Sequence, residues 1–156
     1  FEEVLVKFCG ESREGNLFCL RAKDAEQLIL QLIDAYKNKN LNILQHDNWR
    51  YASINISALR KYGSLEFRSL GTPQDFGIIS TWVNILLAIK DASLLFKSPR
   101  EIVEAISGQG PVPFLRQVFK QYSELLECPN MHKTIMDGVR RVQDIAYATR
   151  STMYDI

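Results

Sequence analysis

The chain has 156 residues, of which 46% are apolar and 24% charged, and its 19 basic and 18 acidic side chains leave a net charge of +1. A chain of this size buries about 68–70% of the surface its unfolded form exposes, so one domain with a sizeable core is expected without disulfides. The composition excludes disordered and fibrous classes, and the interspersed charges leave no long-range field to steer nucleic acid or an anionic membrane.

The three cysteines, Cys9, Cys19 and Cys128, match no paired metal spacing, so a reducing intracellular setting is expected. No apolar run approaches the ~18 residues that span a bilayer, and no charged-then-apolar leader opens the sequence; the chain reads as soluble. Phe1, Val4, Leu5 and Phe8 stand at helical spacing from the first residue, which reads as the middle of a helix with further residues upstream.

From Gly10 to Asn16 the sequence is turn-rich, and Leu17-Phe18-Cys19-Leu20 is an apolar run of strand length. Asp24 is the expected start of a helix with Ala25, Leu28, Ile29, Leu32, Ile33 and Tyr36 on its buried face. Basic residues in Lys37-Asn38-Lys39-Asn40 suit the negative end of its dipole. A polar loop through His46, Asp47 and Asn48 leads to Trp49-Arg50-Tyr51, a candidate additional strand.

Two alternating segments follow, Ser53-Ile54-Asn55-Ile56-Ser57 and Ser64-Leu65-Glu66-Phe67-Arg68-Ser69, joined by a short polar linker. Their period of two predicts half-buried strands with Ile54, Ile56, Leu65 and Phe67 turned inward. If the two pair with their apolar sides together, Asn55, Glu66 and Arg68 share one polar surface.

Thr72 is the expected cap, and Pro73 the first residue, of a long helix that runs to about Phe96 and buries Phe76, Ile79, Val83, Leu86 and Leu87, with Trp82 in the core. Ser98-Pro99-Arg100-Glu101 reads as a capping box for a short helix, and Gly108 to Pro113 as a break. Two amphipathic helices close the chain. One carries Phe114, Leu115, Val118, Phe119, Tyr122, Leu125 and Leu126, the other Ile135, Met136, Val139, Val142, Ile145 and Ala146.

Among candidate chemical groups, Glu66 and Arg68 carry the most information. A carboxylate and a guanidinium two positions apart on a strand can hold a divalent cation and a phosphate side by side. On spacing alone, a solvated strand whose charges pair with neighbours is the commoner reading. His46 and His132 lack a partner at metal spacing, and the Ser107-Gly108-Gln109-Gly110 run lacks the lysine of a phosphate loop.

The ordered set Arg50-Tyr51-Ala52-Ser53-Ile54-Asn55-Ile56, Gly63-Ser64-Leu65-Glu66-Phe67-Arg68, Gly71-Thr72-Pro73 and a helix with Thr81-Trp82-Val83 resembles the phage-type amidoligases, which are ATP-dependent carboxylate-amine ligases. Arg13, Asn16, Phe18 and Cys19 fit the preceding loop and strand less specifically. Ser64 stands where threonine is common. The resemblance is best over residues 50 to 92, weaker over 1 to 49, and absent after about Ile106.

The resemblance implies an α+β fold: part of a curved antiparallel sheet like that of glutamine synthetase and glutamate-cysteine ligase, with helices packed outside. Residues 1–96 would be the C-terminal part of the catalytic domain and residues 97–156 a helical extension. ATP and Mg2+ are the implied cofactors, with Glu66 as metal ligand, Arg68 as the stabiliser of the transferring phosphoryl group, and Asn55 as a nucleotide or substrate contact. The implied partners are a small-molecule or peptide carboxylate and an amine, with no nucleic acid and no membrane, and a homo-oligomer is allowed.

The implied setting is the cytoplasm, that of the host if the gene is a phage's. Family members also carry an E-x-E strand and a histidine-containing strand that this chain lacks, since Glu2 and Glu3 are adjacent and Glu101 and Glu104 lie on a helix. The chain is therefore expected to be a C-terminal portion or a degenerate relative. The alternative function is a non-catalytic helical interaction or virion-associated module.

Overall fold

The computed structural model describes residues 2–10, 16–22, 24–96 and 99–148. Phe1, Arg13 and most of the Gly10 to Asn16 turn, together with Ser98 of the expected capping box, lie outside them, as do the side chains of Val142, Ile145 and Ala146. Helices dominate. They are α1 (Glu2–Cys9), α2 (Glu26–Lys37), α3 (Ala58–Tyr62), α4 (Phe76–Leu95), α5 (Pro99–Gln109), α6 (Pro111–Phe119) and α7 (Met131–Ala148), with one antiparallel pair of strands, β1 (Ile54–Asn55) and β2 (Glu66–Phe67).

The larger core forms where α1, α4, α5, α6 and α7 meet. Phe114, Leu115, Phe119 and Ile85 are completely or almost completely enclosed there, with Val4, Trp82, Ile106, Val118, Leu126, Met131 and Ile135 around them. Phe8 stacks on Trp82 with centroids 5.9 Å apart, and Phe96 tilts against Phe114 at 5.6 Å. The expected apolar spacing of the C-terminal helices is thus realised by Phe114, Leu115, Val118, Phe119 and Ile135. The chain turns between α5 and α6 at Gly110, whose φ of 89° is open to glycine, and Pro111 begins α6 where its missing N–H costs nothing. What reads in sequence as one helix from Phe114 to Leu126 is two segments, because Lys120 adopts a φ of 49° and the backbone tightens into a 3₁₀ turn over Lys120–Leu126.

A smaller core of Ala35, Ile43, Trp49 and Ala52 joins α2 to two 3₁₀ turns, Leu41–Gln45 and Asp47–Tyr51. Three expectations are corrected in this half. Trp49-Arg50-Tyr51 is a 3₁₀ turn, with the Trp49 indole buried beneath it, and adds no strand. Leu17–Leu20 is a turn held by Asn16 Oδ1, which accepts the Phe18 N–H; only Leu20 pairs, in a parallel bridge with Ala52. The helix expected from Asp24 begins at Glu26, because Asp24 turns back to Arg21 at 3.5 Å, and its Tyr36 is exposed.

The long α4 helix also departs from expectation. Its cap is Asp75, whose Oδ1 accepts the Gly77 N–H at 2.7 Å, so Thr72 and Pro73 fall outside the helix. Trp82 and Ile85 are buried as the core residues of α4, but Phe76, Ile79, Val83 and Leu87 are 78, 39, 48 and 48% exposed. The reason lies in the helix itself: it is apolar nearly all round, so periodicity alone leaves open which face is covered. Against the expectation that no apolar run approaches a bilayer-spanning length, its 20 residues, with a mean hydropathy of 1.5, are also long and apolar enough to cross a membrane by length and composition only, since Ser80, Thr81 and Asn84 interrupt the run but are too few to bring the mean down.

Candidate functional site

The strands are two residues long because Asn55 stops the first of them. Its Oδ1 accepts the Ser57 N–H at 3.0 Å, a side-chain turn that diverts the chain into α3. The expected polar linker is therefore mostly helix. Gly63 closes that helix in the left-handed region at φ 67°, where its N–H reaches Leu59 O, and the chain returns as β2. Asn55 stands opposite Glu66 and Ile54 opposite Phe67.

The inward and outward sides are not those the alternation predicts. Asn55 is 8% exposed while Ile54 and Leu65 are 42 and 44% exposed. With so short a ladder and no third strand beside it among the described residues, no second layer covers Ile54, whereas the carboxamide of Asn55 is enclosed by its own turn and by Glu66.

The three residues singled out in the sequence do converge. Asn55 Nδ2 donates to Glu66 Oε2 at 2.7 Å, and Arg68 Nη1 lies 3.8 Å from Glu66 Oε1. Arg68 Nη1 also donates to the Arg50 carbonyl, which fixes the guanidinium over the turn before β1. Cys19, buried, donates its thiol to the Arg68 carbonyl at 3.3 Å and ties the end of β2 to the turn after Asn16.

Asn55, Glu66 and Arg68 line one open pocket of about 500 Å³ together with Asp47, Arg50, Arg60 and Lys61. Four basic side chains face two acidic ones there, so the pocket favours an anion. Arg50 lies over the Tyr51 ring at 4.8 Å and donates to its hydroxyl at 2.7 Å. The Tyr62 side chain beside Lys61 hydrogen-bonds the amine and raises its pKa above the usual lysine value. Arg60 and Lys61 were missed as site residues in the sequence; their signal was the basic pair inside the segment joining the two strands.

The donor set fits phosphate oxygens better than a bare metal ion. Glu66 is the pocket's carboxylate nearest Arg68, one of its oxygens is occupied by Asn55, and no group of three His, Cys, Asp or Glu side chains suited to a metal occurs among the described residues. Magnesium held by one or two carboxylates completes its octahedron with water and substrate phosphates, so Glu66 fits a magnesium ion that arrives with a nucleotide.

A part-buried ion pair ties α1 to the segment before α2. Arg21 Nη1 meets Glu3 Oε2 at 2.8 Å, and Glu2 Oε1 accepts the Ala22 N–H at 2.7 Å and the Ser53 hydroxyl at 3.4 Å. Glu2 and Glu3 thereby hold α1 against the entry to β1. No family model, curated protein or solved structure matches this chain.

Proposed function

We propose that the chain is the C-terminal portion of an ATP- and magnesium-dependent carboxylate-amine ligase of the amidoligase type, with β1 and β2 as two strands of a glutamine-synthetase-like sheet. The observation that carries this reading is the convergence of Asn55, Glu66 and Arg68 on one pocket whose other charged side chains are mostly basic. Phosphoryl transfer is catalysed chiefly by positioning and charge neutralisation, which is the chemistry such a pocket supplies.

In this reading a substrate carboxylate oxygen attacks the γ-phosphorus of ATP and ADP leaves. An amine nitrogen then attacks the acyl carbon, phosphate leaves, and the amide forms with loss of a proton to solvent. Arg68 faces the transferring group, Arg50, Arg60 and Lys61 hold the remaining phosphate charge, and Asn55 keeps Glu66 in place. Glu66 would be the residue to hold a magnesium ion, which would supply further charge neutralisation when bound. The setting proposed is the cytoplasm.

Calorimetric titration of the chain with ATP, with and without magnesium, tests the proposal. Magnesium-dependent binding that weakens in Arg68→Lys supports it, because lysine keeps the charge and loses the fork. No binding by the wild-type chain or by a version extended upstream removes it. A second reading, a non-catalytic interaction module, is favoured by one observation, the uncovered apolar side of α4. Self-association without nucleotide binding would select it.

A further inference from the structure

The α4 helix has two apolar sides. One, with Trp82, Ile85, Ile89 and Ala92, packs into the larger core. At 100° per residue, Phe76, Val83, Leu87 and Leu94 fall on the side opposite Ile85, and they are 78, 48, 48 and 75% exposed. Solvent-facing helix surfaces are ordinarily polar, and a stripe of this length rimmed by polar residues marks an interaction surface.

We propose that this stripe is the interface of a homodimer in which α4 pairs antiparallel with α4 of a second copy. The proposal stands apart from the ligase reading. It rests on three features of the helix.

The pattern is self-complementary. A two-fold axis at the level of Ile85 brings Phe76 of one copy onto Leu94 of the other and Val83 onto Leu87, as an isologous contact requires. The charges agree, because the same operation sets Lys90 near Ser80 and Asp91 near Ile79, so no like charges meet within α4.

The area is sufficient. Phe76, Ile79, Val83, Leu87 and Leu94 together offer roughly 500 Å² per copy, or about 1,000 Å² for the pair, the smallest area at which a specific interface is expected.

A lipid surface is the weaker occupant. Crossing a bilayer would strip Trp82 and Ile85 from the core, and lying on one would call for a basic border, where α4 has only Lys90 beside Asp91.

Sedimentation velocity on the 156-residue chain across a range of concentrations tests the proposal, with Val83→Glu as the variant. Val83 is half exposed, so the variant is expected to keep the wild-type circular dichroism while its dimer dissociation constant rises by roughly 100-fold or more, the effect of an unpaired charge in an apolar interface. A wild-type chain that stays monomeric, or a Val83→Glu chain that dimerises as the wild type does, overturns it. Monomers that instead co-sediment with neutral phosphatidylcholine vesicles overturn it in favour of lipid.

Register is read by oxidative cross-linking, with the wild-type chain as the control for its own three cysteines. The Phe76→Cys, Leu94→Cys double variant should give a covalent dimer. Phe76→Cys alone should add none, because its two copies lie about 27 Å apart in the antiparallel pair. A covalent dimer from the single variant overturns the register. This measurement also replaces Val83→Glu should that variant fail to fold.

Discussion

Asn55 and Glu66 face each other across the two-stranded ladder, and the Asn55 carboxamide donates to the Glu66 carboxylate at 2.7 Å while its own oxygen caps the turn into α3. One buried side chain therefore both ends β1 and aims the carboxylate that the pocket presents. Two of its polar bonds are internal, so its removal leaves the Ser57 amide and one carboxylate oxygen without those partners.

Asn55→Ala should lose about 1–3 kcal/mol of stability in chemical denaturation, the cost of stranding partly buried polar groups. Asn55→Asp should lose a comparable amount at neutral pH, because it sets a carboxylate against Glu66. Like charges raise the pKa of the pair in the folded state above its unfolded value, so the variant's deficit should shrink as pH falls through that raised value and grow as pH rises. A deficit independent of pH would show that the two side chains do not face each other.

Arg68→Lys should leave stability within about 1 kcal/mol of wild type, since Arg68 is part-exposed, and weaken nucleotide binding about 10-fold. Arg60→Ala, from the same pocket, should weaken binding by a smaller factor and flatten its salt dependence. Calorimetry at two ionic strengths reads both.

The two sides of α4 give a matched pair. Ile85→Ala, at a completely enclosed site, should cost about 2–5 kcal/mol, whereas Leu94→Ala, three-quarters exposed, should cost less than about 0.5 kcal/mol at concentrations where the chain is monomeric. Urea denaturation of both variants at low protein concentration measures the contrast, and equal costs would contradict the packing of α4.

Asp75→Ala should cost about 0.5–2 kcal/mol through loss of the bond to the Gly77 amide, and Thr72→Ala should cost little. The reverse order in thermal melts would restore Thr72 as the cap of α4.

The sequence alone determined much of what is local. The three-and-four spacing of Leu28 and Leu32, of Phe114, Leu115 and Val118, and of Ile135 and Val139 marked real helices, but of the break expected from Gly108 to Pro113 only Gly110 is one, since Gly108 and Gln109 end α5 and Pro111 begins α6. The period of two in the paired segments was enough to put Asn55, Glu66 and Arg68 together, because alternation follows from backbone geometry whatever lies outside.

Only the tertiary structure decided which surfaces are covered. Ile54 is exposed and Asn55 buried because the ladder is two residues long and the chain folds back over the carboxamide. Arg50 and Arg60 reach the pocket from a 3₁₀ turn and a short helix that bring distant positions to one place. In α4, apolar side chains encircle the axis, and burial was fixed by where α1 and α6 pack against it. Periodicity is a property of neighbouring residues, whereas burial depends on contacts between segments far apart in the chain.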